Sequence, residues 1–399
     1  MQNRSLISSN QLALVMAGSS LMFPYTFLSV IRTPPANQDV WIVQLLTMVF
    51  ILIMNLPLLY IINKFRGFDL VETNEIILGR VGGTISAVMF LLLSIFCFVG
   101  CMLISALFVE SYLLAETPLW IIFLFIIAPG AFAAIKGAGT VCRLAFFTVP
   151  LMLATIVLFF VVGVPDMDIS LIQPVLKDSK FLDIILGAFY TAARYSEIVL
   201  LFGFGYYLKV ECKINSTYFK SFAIFGIFFF IVTISTLLML GSDLAKISNN
   251  PFLAFTRQVG GQEFFQRVHL LNIMAWFIGI VVKLMAYNYT ASYILSRIFR
   301  AKTHKYFVYP LSLFGFIVGM LPFMKRMSTI HILKSDKIFP FVSVSVAVGV
   351  PIILCIVYFI RKKQIDKIIS VRKKTKDKEL QNFYKEKASI APINEKSCS

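Results

Sequence analysis

The chain has 399 residues, of which 58% are hydrophobic, 15% aromatic and only 14% charged, with a formal charge of +17 at pH 7 and a mean hydropathy of +0.83. That balance excludes a soluble globular domain, and the long uninterrupted apolar runs exclude a transmembrane barrel, whose strands alternate over about ten residues. Nucleic-acid binding is excluded as well: the basic residues sit in loops and in a tail with no aromatic interleaving beyond Phe383 and Tyr384, and orientation in a membrane accounts for them.

Apolar runs long enough to cross a hydrocarbon layer, roughly 20 residues each, predict ten helices, at 11–31, 41–63, 83–114, 118–135, 143–164, 181–208, 218–241, 268–296, 306–324 and 339–360. The expected fold is an all-α membrane protein in which residues 1–360 form one ten-helix domain and 361–399 a basic cytoplasmic tail. No short apolar region with a small-residue cleavage site opens the chain, so the first run is expected to be retained.

The first span contains MAGSSLMFPYTFL, Met16 to Leu28. Backbone loosened by Gly18 or deprived of a donor at Pro24 cannot face lipid, because unpaired polar groups cost several kcal/mol there. Those residues are expected to pack against neighbours or to line a cavity. The sixth span carries TAARYSEIVLL, in which Arg194 and Glu197 are three residues apart and would share a helical face. An internal ion pair that only permits insertion is the plainer reading of that spacing. Between the seventh and eighth spans, Ser242 to Arg267 is long enough to hold a short surface helix.

The eighth span holds Lys283, too deep to snorkel easily and with no acidic residue in its own run. A charge at the centre of a membrane helix costs about 2.5 to 3.5 kcal/mol, so such residues usually face the bundle interior or a water-filled cavity. Glu110 lies near the end of its span and carries less weight.

The tail from Arg361 to Lys396 has 12 basic and 5 acidic residues. Loops on the side of the N-terminus carry 13 basic residues against 10 on the other. An even number of spans puts both ends on one side, and the basic tail makes that side cytoplasmic. The tail could also rest on anionic headgroups; the simpler reading, a solvated segment that fixes topology, is preferred.

Dividing the ten spans five and five gives repeats of about 11–164 and 181–360 and sets the first span opposite the sixth. Secondary transporters with inverted repeats bind their substrates near the midplane between two such broken helices. A LeuT-like 5+5 inverted repeat with helices 1 and 6 broken is therefore expected, with freed N–H groups and a half-helix dipole receiving an anionic group. Lys283 would lie against the unwound part of the first span as a fixed positive charge. The candidate ligand-binding residues are Gly18, Ser19, Ser20, Phe23, Arg194, Tyr195, Glu197, Lys283 and Tyr287.

Taken together, GSSLMFP, ANQDVWIVQLL, SLIQPVL, YSEIVLLF and FFQRVHLLNIMAWFIGIVVKLMAYNYTAS resemble, in order and spacing, the spore germination permease family of the amino acid-polyamine-organocation superfamily. The resemblance spans all ten helices and leaves only the tail. It implies the membrane-embedded B subunit of a nutrient germinant receptor in the spore inner membrane. Such a subunit would bind an amino acid or a nucleoside and act with an A subunit and a C subunit lipoprotein. It also implies that Gly18, Ser19 and Ser20 form a ligand-facing turn, that Glu197 is the acidic residue of the sixth span, and that Arg267 and Trp276 are structural anchors. Relatives commonly have Gly where this chain has Ser20, and a spacing to Pro24 one residue longer.

A secondary active amino-acid transporter is the alternative reading. An enzyme is not expected: His269, His304 and His331 are scattered, no HExxH, GxSxG or P-loop occurs, and Asp166 and Asp168 lie in a loop. The six cysteines show no metal spacing and are read as packing residues and free thiols. No cofactor or metal is expected.

Overall fold

The computed structural model describes residues 7–209, 211–259, 263–321 and 338–372, with backbone alone for 263–269 and 338–339. Arg267, His269, His331 and the tail beyond residue 372 thus lie outside the described side chains.

In chain order the helices are α1 (Ser9–Phe27), α2 (Val40–Lys64), α3 (Leu70–Tyr112), α4 (Leu119–Lys136), α5 (Ala138–Gly163), α6 (Phe181–Ala192) and α7 (Leu200–Phe204). After them come α8 (Ile214–Ile247), α9 (Pro251–Gln258), α10 (Glu263–Ile298) and α11 (Lys305–Met320). The last span is α12 (Ile338–Val344), a π-helical turn over Ser345–Gly349 and α13 (Val350–Ile360). A final helix, α14, covers residues 362–372.

Every predicted apolar run has a helical counterpart. Among the described residues, eight helical stretches are long and apolar enough to cross a membrane, which makes this an integral, multi-pass membrane protein. The two remaining runs form α1, whose 19 residues include Asn10, Gln11 and the Gly-Ser-Ser triplet, and α11, which has 16. Length and apolarity by themselves thus account for eight of the ten expected spans.

Local chemistry sets the ends and bends. Ser8 and Gln11 form a reciprocal capping box at the start of α1, and Asp69 and Glu72 do the same for α3, each satisfying two backbone donors that a helix start leaves open. Prolines inside α2, α4, α5 and α11 are carried within intact helices, as neighbouring spans permit in a membrane bundle. At Gly79 (φ 80°) and Gly241 (φ 69°) the backbone enters the left-handed region and the helix turns a corner.

These corners create a feature that the apolar runs do not announce. Residues 70–78 form a short leg before the third span, and 242–247 with α9 form two legs after the seventh. In a five-plus-five division these legs fall at equivalent places, between spans two and three and between spans seven and eight. The helix expected on the surface within Ser242–Arg267 is α9, and it is not a surface helix: Phe252, Leu253 and Phe255 are buried. Its aromatic face gives the reason, since burying such rings outweighs exposing the two ends of a short helix.

The core is organised around α10, which packs against α1, α3, α4, α5, α7, α9 and α11 and contributes the fully buried Trp276, Tyr287 and Tyr289. Trp276 donates to Thr26 Oγ1 at 2.8 Å and stacks near Phe108 at 4.0 Å between ring centroids. Tyr25 donates to Asn272. These bonds tie α10 to the C-terminal half of α1. At the other end, Arg297 closes on Asp69 through Nε at 2.9 Å and Nη2 at 2.5 Å, joining α10 to the leg of α3.

The described residues contain no strand beyond one parallel bridge between Ile7 and Leu208. Ile7 N–H donates to Tyr207 O at 2.9 Å and Lys209 N–H donates to Ile7 O at 3.1 Å. The start of the first span and the end of the sixth therefore lie at the same end of the bundle.

Candidate functional site

The two expected helix breaks resolve differently. α1 runs without interruption through Gly18, Ser19 and Ser20 and ends at Leu28, which takes a left-handed conformation (φ 42°, ψ 54°). The expectation of a broken helix 1 is thus corrected. Ser20 Oγ donates to Met16 O at 2.9 Å and Thr26 Oγ1 to Met22 O at 2.7 Å, so these hydroxyls are spent on the preceding turn of their own helix. Gly18 is required by packing: a Cβ there would stand 2.7 Å from Val149 Cγ2 of α5. Small residues that let two helices approach are a standard use of glycine within a membrane.

Span six does break. α6 stops at Ala192, residues 193–196 are turn and irregular, a 3₁₀ turn covers Glu197–Val199, and α7 resumes at Leu200. The Arg194 and Glu197 spacing therefore does not fall on a helical face. The carboxylate of Glu197 is instead met from another span: Lys283 Nζ donates to Glu197 Oε1 at 2.9 Å. Both residues are buried, with relative exposures of 8% and 5%. Lys283 thus answers to the break in span six, and not to an unwound first span. The reason is electrostatic, because a buried ammonium gains far more from a full carboxylate than from carbonyl dipoles.

Two cavities meet at Glu197. The first, about 60 Å³, has room for a few water molecules or a small solute. Met22, Phe23, Thr26 and Phe27 of α1 line one side, and Phe96, Cys97, Gly100, Cys101 and Ile104 of α3 another. Ile280 and Lys283 of α10 and Arg194, Ser196 and Glu197 of the broken segment complete it. Two cations and one anion therefore share a mainly apolar chamber to which Thr26 and Ser196 add hydroxyls. The second cavity, about 30 Å³, is lined by Met16 and Ser20, by Ile51 and Asn55 of α2, by Tyr195, Glu197 and Ile198, and by Tyr218, Ser221, Phe222 and Phe225 of α8. Glu197 belongs to both.

Within this arrangement Glu197 Oε2 and the Tyr195 hydroxyl are buried with no hydrogen-bond partner among the described residues. A buried acceptor in that condition costs about 1 to 3 kcal/mol, more for a charged one, so the site is chemically prepared for a donor. The Tyr195 ring packs edge-on against Phe23 at 6.0 Å and against Phe225 at 4.9 Å. Lys283 Nζ lies 5.9 Å from the centre of the Tyr287 ring, within range of a cation–π contact.

Of the nine candidate residues, the first cavity brings together Phe23, Arg194, Glu197 and Lys283, and the second adds Ser20 and Tyr195. Tyr287 backs Lys283 without lining either cavity, and Gly18 and Ser19 lie outside both. Sequence reasoning missed Cys97 and Cys101, four residues apart on α3, and Asn55, Tyr218 and Ser221. Polar residues placed inside otherwise apolar spans two and seven were the available signal.

Comparison with known proteins bears on the family and the fold. Residues 6–328 match the family model described as spore germination protein. The chain belongs to the spore germination protein family. No curated protein matches it. Among solved structures, this family member is similar to MhsT in complex with L-phenylalanine, with a TM-score of 0.61 at 12% identity over 87% of this chain and 88% of that one. It is also similar to Mhp1, a nucleobase-cation-symport-1 family transporter with bromovinylhydantoin bound (TM-score 0.57, 14% identity, 84% and 78% of the chains). A Na⁺-coupled sialic acid symporter in a substrate-bound outward-open state gives a TM-score of 0.58 at 11% identity, over 84% and 77%. These likenesses place this spore germination protein in the LeuT-type transporter fold, and its relatives in family and fold are permeases and transporters.

Proposed function

We propose that the chain is the membrane subunit of a nutrient germinant receptor, binding a small polar nutrient in the cavity at the break of span six and triggering spore germination. The observation that carries this reading is the Arg194, Glu197 and Lys283 constellation inside an apolar chamber, in a member of the spore germination protein family. Two cations and one anion suit a ligand that brings a carboxylate together with a donor group. An amino acid has both, its ammonium matching the second oxygen of Glu197; a nucleoside has donors but no carboxylate. The ligand would compete with Lys283 for Glu197 and so favour one arrangement of the broken span, and a ligand shifts an equilibrium only by such differential affinity.

In this reading the chain acts with A and C subunits in the spore inner membrane. Both termini are cytoplasmic, in keeping with the basic tail and with the first span starting where the sixth ends. A secondary active amino-acid transporter is the second reading, favoured by the fold of the neighbours.

The test is a screen of the twenty amino acids and common nucleosides against the purified chain in proteoliposomes, reading thermal shift and labelled uptake together. Saturable stabilisation without uptake, abolished by Glu197→Gln, is the expected result. Uptake by the chain alone would favour the transporter, and absence of any binding would overturn the ligand site.

A further inference from the structure

The first part of the tail packs one face against the bundle and leaves the others exposed. α14 (362–372) is separated by Arg361 alone from the end of the last membrane span at Ile360, so it starts at headgroup depth. Its Ile365 and Ile369 are 0% and 7% exposed, and both join the core. Lys64, at the end of α2, pairs with Asp366 at 3.1 Å, and Tyr358 donates to the same carboxylate at 3.1 Å. The bond from Lys64 holds the Asp366 carboxyl below the usual carboxylate range. The helix therefore lies along the bundle instead of projecting from it. Eleven residues at 1.5 Å each give it a length of roughly 16 Å.

At 100° per residue, the helix surface divides into successive faces. Ile365 and Ile369 form the face turned to the bundle. On the adjoining face stand Val371, Gln364 and Ile368, with Ile368 and Val371 37% and 57% exposed. Lys363 and Lys367, both exposed, follow beyond them. Immediately upstream, Phe359 and Ile360 are 57% and 77% exposed at the end of the last span, which marks how far the hydrocarbon reaches. An exposed apolar strip beside a basic strip, at that depth, is the pattern of a helix lying in the interface of an anionic bilayer.

We propose that α14 is an interfacial helix that binds anionic phospholipid, Ile368 and Val371 entering the acyl boundary while Lys363 and Lys367 meet the headgroups. Charge complementarity favours this occupant: from Arg361 to Arg372 there are five basic residues and one acidic. Anchored by Asp366 to α2 and by Ile365 to the core, the helix would couple headgroup charge to the end of the second span.

Hydrogen exchange of the full-length chain in nanodiscs tests this, following the peptide 362–372 in pure phosphatidylcholine and in discs with one third phosphatidylglycerol. Exchange should be roughly fivefold slower or more in the anionic discs, and the difference should shrink as salt rises. Lys363→Glu with Lys367→Glu should remove the difference while leaving exchange in phosphatidylcholine unchanged. Ile368→Asp with Val371→Asp should remove it as well. Equal exchange in both lipids, or a difference that survives either double variant, would overturn the proposal. Protection that arises only when a partner subunit is added would also overturn it, giving this face to a protein.

Discussion

α1 and the α6–α7 segment both carry polar residues into the middle of an apolar bundle, and they treat them in opposite ways. α1 keeps its backbone ladder, turns the Ser20 and Thr26 hydroxyls back onto its own carbonyls, leaves the Ser19 hydroxyl buried with no hydrogen-bond partner among the described residues, and presents its glycine to Val149 of α5. The α6–α7 segment gives up its helix for several residues and exposes Arg194, Glu197 and a free carboxylate oxygen to a cavity. The difference follows from the side chains. Ser20 is satisfied within its helix and Gly18 at its contact, and a neutral hydroxyl left unpaired, as at Ser19, costs far less than an unpaired charge. A buried carboxylate needs a cation from elsewhere, and Glu197 meets Lys283 where the backbone leaves the helix. A small-residue triplet is thus a poor marker of a broken membrane helix, and an in-span ionisable pair is a better one.

The sharpest test of that contrast is Glu197→Ala. Leaving Lys283 buried without its carboxylate should cost about 3 to 5 kcal/mol, read as a large fall in the thermal midpoint of the purified protein. Adding Lys283→Met should recover much of the loss while leaving ligand binding absent. If Glu197→Ala alone is neutral, the pair does not hold the break together.

Gly18→Ala should act on the other side of the comparison, through packing. Its Cβ meets Val149, so a loss of about 1 to 3 kcal/mol is expected, and Val149→Ala in the same chain should restore stability and ligand response together. A double variant that is stable yet unresponsive would return Gly18 to the ligand site. The smallest effect belongs to Ser20→Ala, which removes one bond to Met16 O, worth about 0.5 to 1.5 kcal/mol. Ligand dependence of the thermal shift should change little, and a strong change would show that the second cavity takes part in binding.

Much of the architecture was legible in the residues. Apolar runs found the helices because crossing a hydrocarbon layer leaves few alternatives, and TAARYSE marked the sixth span's break because Arg194 and Glu197 could not both be satisfied by lipid. The legs at 70–78 and 242–247 escaped, since each is continuous in pattern with its span and only the left-handed glycine between them sets the corner. GSSLMFP misled because glycine, serine and proline loosen isolated helices, while tight contact with α5 and α10 holds α1 intact. The partner of Lys283 lies 86 residues away, a pairing that helical periodicity cannot supply. For the same reason Asn55, Tyr218 and Cys97 were visible as residues but not as neighbours of one carboxylate.

The short bridge between Ile7 and Leu208 has a mechanical consequence. Two hydrogen bonds fasten the residue that leads into α1 to the strand-like end of span six. Any rocking of α7 must therefore pull on the chain's first described residues, so whatever grips that end of the protein holds a handle on the half of the broken span that lies beyond Glu197.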